Sequence, residues 1–531
     1  MLKKILMSLC AAVLMSLGWI FPSGIVATVA VVGSFFGFVP LLKLQKQTEG
    51  VKFIRYVLLC FLVFNLISIS WVGKSAAIGV FAAVGVYLVL FGAVMALYNY
   101  VWKRATKPLA YVVLVCGWIA AERLYMNGEI SFPWLNIGNS FAQNPYIIQW
   151  IEYSGVSGLS LWALVVNLVT FEMLEAKKED KKRFKIALGT IIVAPMLVSL
   201  IMFFNYKEPI ESINVTVLQP NIDPYNEKFG GLTDKQQEDI LVKLIESSPK
   251  TSQYLVAPET ALDRGFYLDR LSVNSSIMRI QNVLKKEFPA ASYVGGLTSY
   301  QIYPKSEYSS APTTTARDAK SYFYDVYNSS IQIDTTDNLQ LYHKAKLVIG
   351  VEMLPYHEYL GFINKFSVSL GGISGMLASS ENAVAYTNST DTDLRVGSAI
   401  CYESLYGEYF SEFVRAGARA MFIITNDGWW GDTFGYHQHL MFARLRAIET
   451  RRFIARSANT GISAFINQRG EISKSLGWDE RGVLNGDIAL NKKFTFFVVF
   501  GDIIGRVSAY TLVLCLLYFV AYIRKKKDHI I

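Results

Sequence analysis

At 531 residues the chain has room for more than one domain, and a hydrophobic content of 52% with a mean hydropathy of +0.30 excludes an ordinary soluble enzyme. The formal charge of +9 raises the question of nucleic-acid binding. Position excludes it, because the basic residues crowd the ends of apolar runs instead of forming one binding face.

Seven apolar runs precede about residue 205 and one follows about residue 500. They predict helices at 5–20, 24–42, 53–72, 76–101, 108–126, 155–174, 184–204 and 503–523. Most reach the ~20 residues that a bilayer core requires, the first two only marginally. Lys3, Lys4, Lys43, Lys46, Lys52, Arg55, Lys103, Arg104, Lys107, the cluster from Lys177 to Lys185 and the tail from Arg524 to Lys527 share one side if eight spans alternate. The opposite short loops contain only Lys74. This positive-inside pattern predicts that both termini are cytoplasmic and that residues 210–490 lie on the far side. Lys3 and Lys4 before an apolar stretch reaching Cys10 also outline a lipoprotein signal, but Leu9 stands where a small residue is needed, so a retained first helix is expected. The expected domains are a membrane domain over 1–206, a catalytic domain over 207–492 and a last span with a basic tail over 493–531.

Glu122 and Arg123 fall at the end of the fifth span, where ionisable side chains are costly and usually functional. An uncharged aromatic loop follows, Ile130 to Gln143, centred on Phe132–Pro133–Trp134. A lone Trp there is an interfacial anchor by default. Beside Glu122 and Arg123 the loop reads as part of a lipid-facing site.

After Lys207 the period changes. Ile213–Leu218 alternates as a strand, Thr233 caps a helix over 233–247, and Tyr254–Ala257 is a second strand stopped by Pro258–Glu259. Further strands are expected at 292–297, 328–333, 394–400, 420–425 and 462–466, with a long helix near 438–456. This is an α/β domain with charged residues where strands end.

The stretch that organises this domain is Arg395–Leu405, RVGSAICYESL. A strand delivering Cys401 to a turn presents a thiol on a rigid element, with free backbone N–H groups just after it. A buried core cysteine is the commoner reading. However, Cys10, Cys60, Cys116 and Cys515 all lie inside apolar runs, and Cys401 alone does not, so it has neither a disulfide partner nor a Cys-x-x-Cys metal spacing. Glu259 alone reads as a solvated loop carboxylate, Lys344 (with Lys346 two residues on) as an edge-strand lysine, and Asn426–Asp427–Gly428–Trp429–Trp430 as a turn with a packed aromatic. Together they supply an acyl-transfer set: Glu259 as general base, Lys344 for the oxyanion with the Tyr402 N–H beside it, and Cys401 as nucleophile. That set calls for no metal or cofactor, and His437-x-His439 lacks a third ligand nearby.

The stretches APET around Glu259, HKAKL around Lys344 and ICYES around Cys401 resemble the Glu–Lys–Cys triad of the nitrilase (carbon–nitrogen hydrolase) superfamily. With seven spans before it, one after it and the Glu122–Gly138 loop, the whole chain resembles the apolipoprotein N-acyltransferase family. The resemblance implies an α-β-β-α sandwich beside a bundle of eight spans, and a second glutamate eight residues past the catalytic lysine. Glu352 meets that spacing from Lys344 and not from Lys346. It also implies supporting roles for Glu352, Tyr402 and Glu403, and substrate contacts from Phe229, Asn426, Trp429, Trp430, Trp134 and Arg123. One departure stands out: Ile349–Gly350–Val351 replaces the usual Pro-Phe-Gly before the second glutamate. The implied function is ping-pong transfer of a fatty acyl chain from a phospholipid to the N-terminal amine of an S-diacylglyceryl cysteine. Phosphatidylethanolamine is the implied donor, and the implied location is a bacterial inner membrane with the catalytic domain in the periplasm. Nothing in the sequence demands more than a monomer. A tethered nitrilase-type amidase shares the triad but needs only one anchor. A non-catalytic scaffold would be free to lose Glu259, Lys344 or Cys401. Gly361–Met376 is a further expected gate to the site.

Overall fold

The computed structural model describes residues 1–20, 31–48, 50–75, 77–228, 230–356 and 376–528. Contacts divide the chain into two units, one of 1–73, 77–206 and 500–531, the other of 74–76 and 207–499.

In the first unit, seven helices among the described residues are long and apolar enough to cross a membrane: Leu2–Ile20, Val51–Lys74, Gly79–Arg104, Lys107–Asn127, Ile151–Glu175, Lys181–Asn205 and Ile503–Lys526. The expected span at 24–42 begins among residues outside the described set; 31–36 and Val39–Gln47 are helical. Without water to drive association, such helices are held by close packing and internal hydrogen bonds. Trp118, fully buried, is the hub: its ring lies 4.7 Å from Phe38, 5.7 Å from Phe61 and 4.6 Å from Phe91. The buried Asn167 ties two helices by accepting from Phe38 N (2.9 Å) and donating to Ser34 O (2.7 Å).

The second unit carries two sheets. The first comprises β1 (Ser212–Gln219), β2 (Tyr254–Val256), β3 (Leu262–Tyr267), β4 (Ser292–Pro304), β5 (Arg317–Asp318), β6 (Tyr322–Ile333), β7 (Gln340–His343) and β14 (Gly482–Ala489), in the order β14-β1-β2-β4-β6-β5 with β3 on β4 and β7 on β6. The second comprises β8 (Ala385–Thr387), β9 (Arg395–Ile400), β10 (Ala420–Thr425), β11 (Ile454–Ala458), β12 (Ser463–Ile466) and β13 (Ile472–Leu476), in the order β13-β12-β11-β10-β9-β8. The central pairs β1/β2, β2/β4, β9/β10 and β10/β11 are parallel. Parallel strands are covered on both faces, which is why β2 and β10 are buried at every residue. Amphipathic helices Asp234–Ser247 and Ser275–Glu287 place Leu241, Ile245, Ile280 and Leu284 on the first sheet. Thr233 closes a capping box with Gln236, as its position predicts. Polar ties join the facing sheets: Ser330 Oγ donates to Ser398 Oγ (2.8 Å) and Ser457 Oγ to Leu218 O (2.9 Å). The unit is thus a helix–sheet–sheet–helix sandwich.

The helix expected at 438–456 is shorter and starts earlier, Phe434–Thr450. Arg451 takes a left-handed φ of +48°, which ends the helix and turns the chain into β11. The apolar run through Ile448 and Ile454 spans both elements, so periodicity alone does not separate them.

Candidate active site

Strand ends from both sheets meet at one cleft. Glu259 follows β2, Lys344 follows β7, Cys401 follows β9 and Asn426 follows β10. Together with Thr260, Asn328, Val348, Val351, Glu352, Trp429, Trp430 and Ser75, they line one cavity of about 600 Å3 that is partly open to solvent. The structure therefore brings together three residues spread over 142 positions of sequence, from Glu259 to Cys401, as well as Glu352, Asn426 and both tryptophans.

Lys344 is the centre of charge. Its Nζ donates to Glu259 Oε1 and to Glu352 Oε1, each at 3.0 Å, with the lysine 1% exposed. Burial works against its ammonium, but the charges of Glu259 and Glu352 outweigh burial and hold its pKa above the ordinary range. Lys344 is therefore a permanent cation. Asn328 donates through Nδ2 to the same two carboxylate oxygens, 2.8 Å each, and its carbonyl accepts from Lys344 N (2.8 Å). Glu259 Oε2 accepts from Asn426 N at 3.2 Å, and Glu352 Oε2 accepts from Val348 N at 2.7 Å. The Ile349–Gly350–Val351 departure does not displace Glu352. Gly350, at φ +82°, closes the turn by donating to Met353 O (2.7 Å).

Cys401 is 8% exposed with a φ of +50°, a left-handed conformation costing roughly 1–3 kcal/mol in a non-glycine residue. Fixed neighbours hold it there. Ser404 Oγ donates to Cys401 O (2.7 Å), while the fully buried Glu403 accepts from Ile400 N (2.7 Å), Ala345 N (2.7 Å) and Tyr342 OH. Glu403 thereby staples the cysteine turn to the lysine segment. Burial pushes its carboxyl up to about 7, against the pull of those hydrogen bonds. Burial also pushes the Cys401 thiol well above its ordinary range; the Glu259 charge adds to this and Lys344 opposes it. A resting thiol of that kind calls for a base beside it.

Four supporting residues have little signal in the sequence. Asn328 sits mid-strand in β6, indistinguishable there from any other strand asparagine. Asp427, His439 and Arg456 form a buried set behind Cys401: Asp427 accepts from Arg456 NH2 (2.6 Å) and lies 3.0 Å from His439 Nδ1. The tryptophan-rich turn after β10 is the signal that points to Asp427.

Two expected substrate residues belong to the membrane unit, where Glu122 and Arg123 do not pair with each other. Arg123 bridges Asp502 at 3.4 Å, whereas Glu122 accepts from Ser160 Oγ (2.6 Å), Ile137 N (2.7 Å) and Trp118 Nε1 (3.2 Å). The 130–143 loop is packed rather than presented outward: Trp134 is 1% exposed, 4.8 Å from the Trp71 ring and stacked with Phe132 at 6.0 Å. Phe229 and the gate segment, apart from Met376, lie outside the described residues. Among the described residues no cluster of His, Cys, Asp and Glu has metal-binding geometry.

Seven apolar helices joined in one chain to a sandwich with a Glu–Lys–Cys cleft define a multi-pass membrane protein of the carbon–nitrogen hydrolase class. Residues 310–492 match the carbon–nitrogen hydrolase family, and residues 11–169 match the apolipoprotein N-acyltransferase N-terminal domain. The chain is 30% identical over 479 residues to an apolipoprotein N-acyltransferase of Chlorobaculum tepidum, covering 88% of this chain and 87% of that one. A second, from Geobacter metallireducens, is 26% identical over 441 residues, covering 80% and 77%. A solved CN-hydrolase superfamily protein from Xanthomonas campestris, XC1258, covers 53% of this chain and 91% of its own at 15% identity and a TM-score of 0.35. The chain belongs to the apolipoprotein N-acyltransferase family.

Proposed function

We propose that the chain performs N-acylation of apolipoproteins in two steps through a thioester on Cys401. The observation that carries this reading is the shared cleft, in which Lys344 Nζ lies 3.0 Å from Glu259 and Cys401 lines the same wall. In the first step the Glu259 carboxylate takes the Cys401 proton and the sulfur attacks the ester carbonyl of a phospholipid acyl chain. The Lys344 ammonium and the Tyr402 N–H meet the oxyanion. Glu259 returns the proton to the departing glycerol oxygen, releasing a lysophospholipid and leaving the thioester. In the second step the free α-amine of an S-diacylglyceryl cysteine attacks that thioester, Glu259 accepts the amine proton and passes it to the departing Cys401 sulfur, and the amide forms. A water-poor cleft protects the thioester in between.

Asn426, Trp429 and Trp430 line the acyl site in this reading, with Glu352 and Glu403 fixing the charges and the turn. Phe229, Trp134 and Arg123 are assigned to substrate contact on the family resemblance. The lysine and arginine distribution supports cytoplasmic termini and a periplasmic catalytic unit in an inner membrane. Phosphatidylethanolamine is the expected donor and the monomer the expected state.

The test is intact mass spectrometry of the purified chain with phospholipid, beside Cys401→Ala. A fatty-acyl adduct released by hydroxylamine and missing from the variant is expected. No adduct, with turnover of small amides in its place, refutes the acyltransferase reading and favours a tethered amidase.

A further inference from the structure

Behind the cysteine turn lies a buried polar set that the two-step chemistry does not use. His439 is 1% exposed, on the Phe434–Thr450 helix. Its Nε2 lies 3.2 Å from Cys401 O and 3.0 Å from Ser404 Oγ. Cys401 O can only accept and also takes the Ser404 hydroxyl at 2.7 Å, so His439 holds this carbonyl through a hydrogen on Nε2. On the other side of the ring, Nδ1 lies 3.0 Å from Asp427 Oδ1 and 3.1 Å from Arg456 NH2.

Those partners are themselves fixed. Asp427 and Arg456 are both fully buried and bridge at 2.6 Å, and Thr425 Oγ1 adds a donor to Asp427 at 2.8 Å. Arg456 also donates to Ile462 O at 2.6 Å. Burial opposes the Asp427 charge, but Arg456 and His439 outweigh it and lower its pKa to about 2. A buried ion pair of this kind contributes little net stability against a well-packed apolar substitute. Its value lies in direction: it holds an imidazole edge-on against one carbonyl. That carbonyl belongs to the residue held at φ +50°, and Trp430, which lines the cleft, packs against the same imidazole with ring centres 5.5 Å apart.

We propose that His439, oriented by Asp427 and Arg456, is a positioning residue that grips the Cys401 carbonyl and so holds the nucleophile in the left-handed geometry from which it attacks. It touches neither substrate nor sulfur in this role. Its loss therefore acts on the rate of acyl transfer and not on phospholipid binding. A displacement of about 1 Å at a nucleophile lowers rates on the order of 100-fold. The inference rests on Cys401 being the nucleophile.

Two amide variants separate this role from simple packing. His439→Gln keeps an N–H at the Nε2 position, within reach of Cys401 O, whereas His439→Asn keeps only the Asp427 side. Both are compared as full-length chains in detergent, with thermal unfolding to check that they fold alike. The expected result is single-turnover acylation slowed roughly 100-fold in His439→Asn, KM for phospholipid within about twofold of the parent, and recovery to within about tenfold in His439→Gln. Alkylation of Cys401 by iodoacetamide without phospholipid, read by peptide mass, should fall in the same order. Equal rates in the two variants at matched stability, or a loss carried entirely by KM, overturn the positioning role. If the parent chain alkylates at Cys401 but gains no acyl mass, the acyltransferase reading fails, and the alkylation order still decides the role of His439.

Discussion

Two buried glutamates, one in each unit, show how differently a carboxylate is used once it leaves water. Glu122, in the membrane unit, is 2% exposed and is held by neutral donors, a serine, an indole and the backbone N–H of Ile137. None of the described residues brings it a cation. Glu259, in the sandwich, is 7% exposed and shares the Lys344 ammonium with Glu352. The first arrangement fastens a helix to the loop that follows it. The second places a carboxyl group beside a buried cation and in one cleft with the Cys401 thiol, the groups that the proposed proton transfer and oxyanion formation use. Burial is the same in both; the cation makes one of them chemical.

The contrast is broken most severely by removing that cation. Lys344→Met leaves Glu259 and Glu352 facing each other without neutralisation, and stranding a buried charge costs about 3–5 kcal/mol. Acyl-adduct formation should vanish and the unfolding temperature of the catalytic unit should fall, both measurable on one preparation. Next comes the matched pair Glu259→Gln and Glu122→Gln. Removal of a general base lowers rate by about 10²–10⁴-fold, so Glu259→Gln should fold normally and acylate poorly. Glu122→Gln should keep its acylation rate and show a stability change of about 1 kcal/mol, the scale of a neutral hydrogen bond. An inactive Glu122→Gln with unchanged stability would give Glu122 a part in the chemistry as well. A smaller break is steric. A Cβ on Gly296 would stand 2.3 Å from Thr260 N and 2.7 Å from Glu259 Cα, both backbone atoms that cannot swing away. Gly296→Ala should therefore shift the Glu259 segment, at about 1–3 kcal/mol of stability and on the order of 100-fold in acylation rate.

The ease with which each feature could be read from sequence follows the same division. Glu259, Lys344 and Cys401 each stand at the end of an apolar strand, where a charged or reactive residue interrupts a pattern and is conspicuous. Asn328 and His439 carry no such mark. Asn328 lies inside β6 among other polar residues, and His439 lies on a helix buried against the cysteine turn, the Gly407–Arg415 helix and β12, all distant in sequence. The membrane helices were legible because each is apolar over a bilayer's length. Their internal ties were not: adjacency suggested that Glu122 and Arg123 work together, but consecutive residues on a helix point about 100° apart and find different partners. The short strands β5 and β8 were missed because two or three residues are too few to show a period, and the longer β3, β11, β13 and β14 also lie outside the expected strands.

The finest form of the comparison lies between two consecutive residues, His343 and Lys344. Both are basic, but Lys344 is buried and meets carboxylates whereas His343 is half-buried and meets none. His343 stacks on Tyr327 at 4.1 Å between ring centres, and its Nδ1 meets Ser329 Oγ at 2.8 Å. Burial lowers its pKa to about 4, so the folded chain keeps it neutral where an unfolded chain, with an ordinary value near 6.5, takes up a proton. The unfolded state thus binds more protons between those values. The contribution of His343 is complete above pH 6.5 and is lost as the pH falls towards 4. His343→Phe keeps the aromatic stack and has no proton to gain. Thermal unfolding of parent and variant should run parallel above pH 7, and the parent should lose stability faster between pH 6.5 and 4. Curves that stay parallel to pH 4 would mean that the half-buried imidazole meets a compensating charge, and would erase the difference between the two neighbours.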